Sequence, residues 1–222
     1  MNVNDMLQIC RFAINKSQNG YFSSSQFNLL VNQAQDSYLD YLVGEFQQYQ
    51  YGRAKARVSY SQNSIVRQRV SPLIYGYNLS VDNNGFSRYP DDYLMTDSML
   101  TFYGYNRIRY VQQDYLFSYY NSKIDPVNTN PVYLIEDDGF RFFPSSINSA
   151  KLSYIRKPTR IWWGYDLDQN GREVYNPSKS EQPVWSDLDI LEIIARVLKL
   201  AGVSLKDGDV ISYANQITQI GQ

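Results

Sequence analysis

The sequence contains no histidine. That absence removes the side chain most often used as a general base or zinc ligand, and with it every Ser-His-Asp or Cys-His arrangement. Cysteine is almost absent as well. Cys10 stands alone, so no internal disulfide can form. Its neighbours Leu7, Ile9 and Phe12 mark it as a small buried apolar residue of a chain made in a reducing cytosol, or where disulfides do not matter. No run of about 18 apolar residues occurs, so no membrane-spanning helix is expected. The start, Met1-Asn2-Val3-Asn4-Asp5, lacks the basic-then-apolar order of a secretory signal. A formal net charge of -1 leaves no basic field to capture nucleic acid or an anionic membrane. Gly-rich phosphate loops, zinc spacings and nucleophile elbows are missing too. The expectation is a protein that is not an enzyme and needs no cofactor or metal.

What is present reads as an ordinary globular chain, 43% hydrophobic and 19% charged over 222 residues. That length suits one domain, with helix expected over 1–58, mainly strands and hairpins over 59–176, and helix again over 183–222. The 21 tyrosines, beside much Asn and Gln, are well above ordinary usage. Tyrosine offers large contact area at low entropic cost and favours interfaces. Codon bias in an AT-rich genome explains the same richness.

Periodicity fills in the elements. Met6, Ile9, Cys10 and Ala13 recur at helical spacing over 5–15, with Asn4 as N-cap. Ser23-Ser24-Ser25-Gln26 forms a capping box for a long helix whose apolar face runs Phe27, Leu30, Val31, Ala34, Tyr38, Tyr41, Phe46 and which Gly52 ends. At 1.5 Å per residue that helix is roughly 40 Å long, enough to extend along a neighbouring subunit. Strands follow over 73–81, 93–103 and 107–111, with Asp82-Asn83-Asn84-Gly85 as a hairpin turn. A short helix is predicted over 112–122. Strands 132–135 and 140–143 flank a turn at Asp137-Asp138-Gly139, and 151–156 puts Leu152 and Tyr154 on one face. A last hairpin pairs 161–167 with 173–175 across Asn170-Gly171. Ser186-Asp187-Leu188-Asp189 then caps a helix with the stripe Leu188, Leu191, Ile194, Ala195, Leu198, Ala201 and Gly202 at C′. A shorter helix carries Val210, Tyr213, Ala214, Ile217 and Ile220. The order helices, strands, helices is an α+β layout.

Several patterns could carry chemistry. Asp166, Asp168, Asn170 and Gly171 match the opening of a calcium-binding loop, but Pro177 stands where the bidentate acid should be, so a hairpin turn accounts for them better. The pairs Asp91-Asp92 and Asp137-Asp138 read as solvated turns, not as glycosidase carboxylates. Arg53, Lys55 and Arg57, with Arg67 and Arg69, are spaced to project from one face of a strand. Trp162 and Trp163 with Tyr165 and Tyr175 form either a subunit interface or a stacking platform for sugar rings.

One resemblance bears on the choice. The runs Asn130-Pro131-Val132-Tyr133-Leu134, Gly139-Phe140-Arg141-Phe142-Phe143-Pro144 and Leu152-Ser153-Tyr154-Ile155-Arg156-Lys157-Pro158 are similar to head–tail connector (adaptor) proteins of podovirus-type tailed phages. There a strand, turn, strand-Pro, strand-Tyr-x-x-x-Pro series precedes a hairpin and a C-terminal helix. The Tyr- and Asn-rich composition resembles the tail ring proteins of crAss-like phages. The resemblance covers about 1–60 and 130–220 and leaves 60–125 unmatched. It implies a subunit of a closed ring, typically of twelve copies, that binds the portal or an adjacent tail ring. Genomic DNA would pass through the lumen without sequence-specific contact, in a virion assembled in the host cytoplasm. The residues then expected at contacts are Trp162, Trp163, Tyr165, Tyr175, Tyr213 and Ile217. The alternative is a carbohydrate-binding tail or surface module.

Overall fold

The computed structural model describes residues 1–16, 22–52, 64–101, 106–120 and 125–205. Tyr213, Ile217 and the run Arg53, Lys55, Arg57 lie outside them. The fold is mixed α and β, with helices leading, strands in the middle and a helix at the C-terminal side. The chain divides into two compact units, Met1–Pro72 with Pro158–Gln222, and Leu73–Lys157.

The first unit is built on α1 (Val3–Lys16), α2 (Ser24–Gly52), α3 (Ser64–Val70) and α5 (Asp187–Leu205), with α5 packed on both α1 and α2. The N-cap of α1 is Asn2, not Asn4. Asn2 Oδ1 accepts from the Asp5 amide and Asp5 Oδ2 accepts from the Asn2 amide, a reciprocal capping box. Val3, Met6, Leu7, Cys10 and Ile14 are buried, whereas Ile9 faces out. Burial pushes the Cys10 thiol up to about 12. The box at Ser23 and Gln26 forms as its spacing predicts, amide to side chain in both directions.

Other expectations about the helices fail as well. Arg67 and Arg69 sit on α3 and not on a strand. There Arg69 lies beside the Tyr38 hydroxyl and the Asp189 carboxylate. Gly202 does not end α5, which runs on to Leu205. The buried stripe of α5 is Ile190, Ile193, Ile194, Val197, Leu198 and Ala201, leaving Leu188 and Leu191 outside. Buried Asp189 ties α5 to α2, accepting from the Ser186 and Tyr38 hydroxyls.

The second unit is β. A three-stranded sheet has β7 (Ser149–Arg156) between β1 (Ile74–Ser80) and β3 (Tyr93–Thr101), antiparallel to both. A four-stranded sheet runs β2 (Phe86–Arg88), β6 (Gly139–Phe143), β5 (Val132–Ile135), β4 (Arg109–Tyr110). The β5–β6 hairpin matches its turn signal. The turn at 82–85 also forms, with Asp82 Oδ1 accepting the Asn84 and Phe86 amides and Gly85 at φ 77°. It does not make a hairpin, however: β1 pairs with β7 and β2 with β6, so the turn passes the chain between sheets. Strand β4 is parallel to β5, whereas the other strand pairs among the described residues are antiparallel, as the predicted hairpins require. Helix α4 (Gln113–Tyr120) follows it, with Leu116 packed on Val111, Val132 and Leu134.

One core joins the two sheets. Leu79, Met99, Ala150, Leu152 and Tyr154 meet Tyr133, Phe140 and Phe142. Phe140 is the hub, edge-on to Tyr89, Tyr93 and Tyr133 at 4.7–5.6 Å. Each such ring contributes about 1.5–3 kcal/mol by leaving water.

Candidate partner interface

The tryptophan segment is held by a device that apolar periodicity does not reveal. Residues 159–163 are extended and lie along α2, outside the sheets that could satisfy their backbone. Three amide side chains of α2 take that place. Asn28 pairs with both backbone groups of Trp163, donating to its carbonyl at 3.1 Å and accepting its amide at 2.8 Å. Asn32 treats Ile161 the same way, at 2.8 and 2.9 Å. Gln35 donates to the Thr159 carbonyl and accepts from the Trp185 indole, both at 3.1 Å. Helical steps of four and three residues thus match alternate residues of an extended chain. A buried backbone group without a partner costs about 1–3 kcal/mol, so these amides are needed where they are. The signal in the sequence is Asn28, Asn32 and Gln35 on the apolar face of a helix.

This clamp separates the two tryptophans. Trp163 is 2% exposed and Trp162 is 51% exposed. The Trp163 ring stacks near-parallel on Tyr165 and Tyr175 at 5.6 and 6.0 Å, lies under the Arg11 guanidinium, and donates through Nε1 to Asn4. Asn4 is therefore a partner inside α1 and not its cap. The expectation that Trp163 meets a partner, and the paired-tryptophan sugar platform with it, gives way to a structural role, because its ring is packed inside the first unit. Trp162 points out, its backbone paired with Glu181.

Beyond the clamp, β8 (Tyr165–Leu167) and β9 (Glu173–Tyr175) form the predicted hairpin, though the strand starts at Tyr165 and not at 161. Asp168 Oδ1 accepts the Asn170 and Arg172 amides, and Gly171 takes φ 73°. Asp166 is held by Lys179 and Asn176, which keep its carboxyl below the usual range. With these oxygens turned to amide and ammonium donors, the calcium-loop pattern is a turn, as its sequence suggests. Gly164 has no alternative, since a Cβ there would stand 2.2 Å from the Lys179 carbonyl oxygen. Glu173 docks one side of the hairpin, accepting from the buried Ser24 hydroxyl at 2.7 Å with Arg11 nearby. Leu167, beside Glu173, and Val174, on the opposite face beside Asp166, are 66% and 52% exposed. Tyr165 is part-exposed, and the Tyr175 hydroxyl accepts from Gln182.

The second unit has its own apolar opening, a pocket of about 300 Å³ beside α4 lined by Tyr110, Leu116, Phe117, Leu134, Ile135 and Phe143. Glu136 and Arg141, paired through two oxygens and two nitrogens, stand at its side. The acidic pairs are structural: Asp92 accepts from the Tyr154 hydroxyl, and Asp137 and Asp138 lie in the β5–β6 turn. Among the described residues no group of three or more His, Cys, Asp or Glu side chains could hold a metal, and no helix is long and apolar enough to cross a membrane.

Compared with protein-family models and with curated proteins, the sequence matches none.

Proposed function

We propose that the chain is a structural subunit of a phage head–tail connector or tail ring, joining the portal to the tail around the DNA channel. The observation that carries this reading is that each unit exposes its own set of apolar side chains. These are Trp162, Leu167 and Val174 around the hairpin, and Tyr110, Phe117 and Ile135 at the pocket beside α4. A head-to-tail ring needs two different surfaces per subunit, whereas a two-fold dimer needs one. The resemblance to podovirus-type connectors supports it further, because its three runs coincide with β5, β6 and β7. Near-neutral charge suits a lumen through which DNA slides.

The test is cryo-electron microscopy of the particle that contains the protein. A closed ring coaxial with the portal is the expected result. Density on a peripheral fibre would overturn the connector reading, and so would its absence from the virion. Trp162→Ala with Leu167→Ser should prevent ring closure while the subunit stays folded.

A further inference from the structure

The three-stranded sheet has two edges, and they differ. The β3 edge is broken by register irregularities between Tyr93 and Met95 and between Thr96 and Ser98, and it carries Asp97, which accepts from Ser153. Bulges and charges of this kind are how sheets discourage further pairing. The β1 edge has neither. Its seven residues, Ile-Tyr-Gly-Tyr-Asn-Leu-Ser, pair with β7 in unbroken register and include no charge and no proline. Among the described residues no strand pairs with its other side.

The side chains agree with the backbone. Tyr75 and Tyr77 stand opposite Tyr154 and Leu152, on the core face of the sheet. They remain 53% and 47% exposed because the core stops at this margin. Only another extended backbone can meet a row of free amides and carbonyls spaced at strand repeat.

We infer that the β1 edge is a self-association site, at which β1 of a second copy adds antiparallel about a two-fold axis. The choice of occupant follows by elimination among the described strands. Besides the broken β3 edge, the other outer strands among the described residues are β2 and β4, of three and two residues, and the two hairpin strands, of three residues each, which carry Asp166 and Glu173. Only β1 offers an unbroken edge of matching length. Being uncharged, two copies of it approach without repulsion. Identical edges related by a two-fold axis run antiparallel, so two three-stranded sheets become one of six. The tyrosines of each copy then cover the margin of the other. This pairing is independent of the ring reading, which needs head-to-tail contacts.

The test is sedimentation of the full chain over a range of concentrations. Gly76→Lys with Asn78→Lys adds charge on the outer face, where Asn78 is exposed and a Cβ on Gly76 meets nothing within 4 Å. The wild type should show a monomer–dimer equilibrium. The double-lysine variant, and the corresponding double-glutamate variant, should each weaken it about tenfold or more, since like charges then face each other. Mixing the two variants should restore association. Asn78→Lys alone is the fallback if a double variant loses its cooperative melt. A wild type that stays monomeric up to its solubility limit would overturn the inference. Association of any size that the charges leave unchanged would do the same.

Discussion

The two units satisfy an extended backbone in opposite ways. In the second, β1, β3 and β7 bond to one another main chain to main chain, and nearly any side chain leaves those bonds intact. In the first, the extended residues 159–163 depend on Asn28, Asn32 and Gln35, so their pairing is written in three particular side chains. Main-chain ladders tolerate substitution and side-chain ladders do not. The first unit should therefore fail at single polar positions, and the second only where its aromatic packing is cut.

The largest effect should come from Trp163→Ala, which removes a buried ring above the clamp. We expect a loss of about 3–5 kcal/mol in urea unfolding. Next is alkali, which should act mainly on the second unit. Burial pushes Tyr89 and Tyr133 up to about 12, and burial together with Asp92 raises Tyr154 further. The first unit has Tyr38, raised by burial and Asp189. A folded pKa above the unfolded value of about 10 means the native state holds its proton longer. That stability is complete below pH 10 and falls as pH rises toward about 12, on the order of 2–3 kcal/mol from Tyr133 alone. Hydrogen exchange across that window should show strands β5 to β7 opening before α2 and α5, and the reverse order would break the comparison. Asn32→Ala strands both backbone groups of Ile161 and should cost about 2 kcal/mol. Tyr154→Phe deletes a hydroxyl while the sheet keeps its ladder, so about 1 kcal/mol is expected from thermal melts. Were it to exceed Asn32→Ala, the contrast would fail. Trp162→Ala should have the smallest effect, within about 1 kcal/mol, because half of its surface is exposed already.

Local signals were readable in the sequence. The reciprocal box at Ser23 and Gln26, the β5–β6 turn, and the alternation that buries Leu152 and Tyr154 all depend on near neighbours, and each is found where its spacing puts it. What was not readable depends on residues far apart. The partner of β1 is some seventy residues away, so a strong turn signal at 82–85 pointed to the wrong hairpin. Trp162 and Trp163 look equivalent in sequence, and only the clamp from α2 turns one in and the other out. The clamp is invisible to apolar periodicity, because the amphipathic pattern of α2 counts Phe27, Val31 and Ala34 and passes over the amide that follows each of them. As for the candidate interface, the hairpin was legible but its exposed apolar surface at Leu167 and Val174 was not, nor was the pocket beside α4.

The clamp on α2 also behaves as a vernier, two rulers laid side by side with unequal graduations. Four helical residues advance about 6.0 Å, while two extended residues advance about 6.6 Å. From Asn28 to Asn32 the scales nearly coincide, and two short side chains suffice. From Asn28 to Gln35 the helix has advanced about 10.5 Å and the strand about 13 Å. The third rung must reach across that gap, and it is there that the longer amide, glutamine, replaces asparagine. A fourth rung would have to reach further still. It would also fall on Lys157, whose amide already donates to the Asp92 carbonyl. The arithmetic of the two repeats thus limits how many residues a helix can hold in this way, and the chain turns to other partners where the scales part.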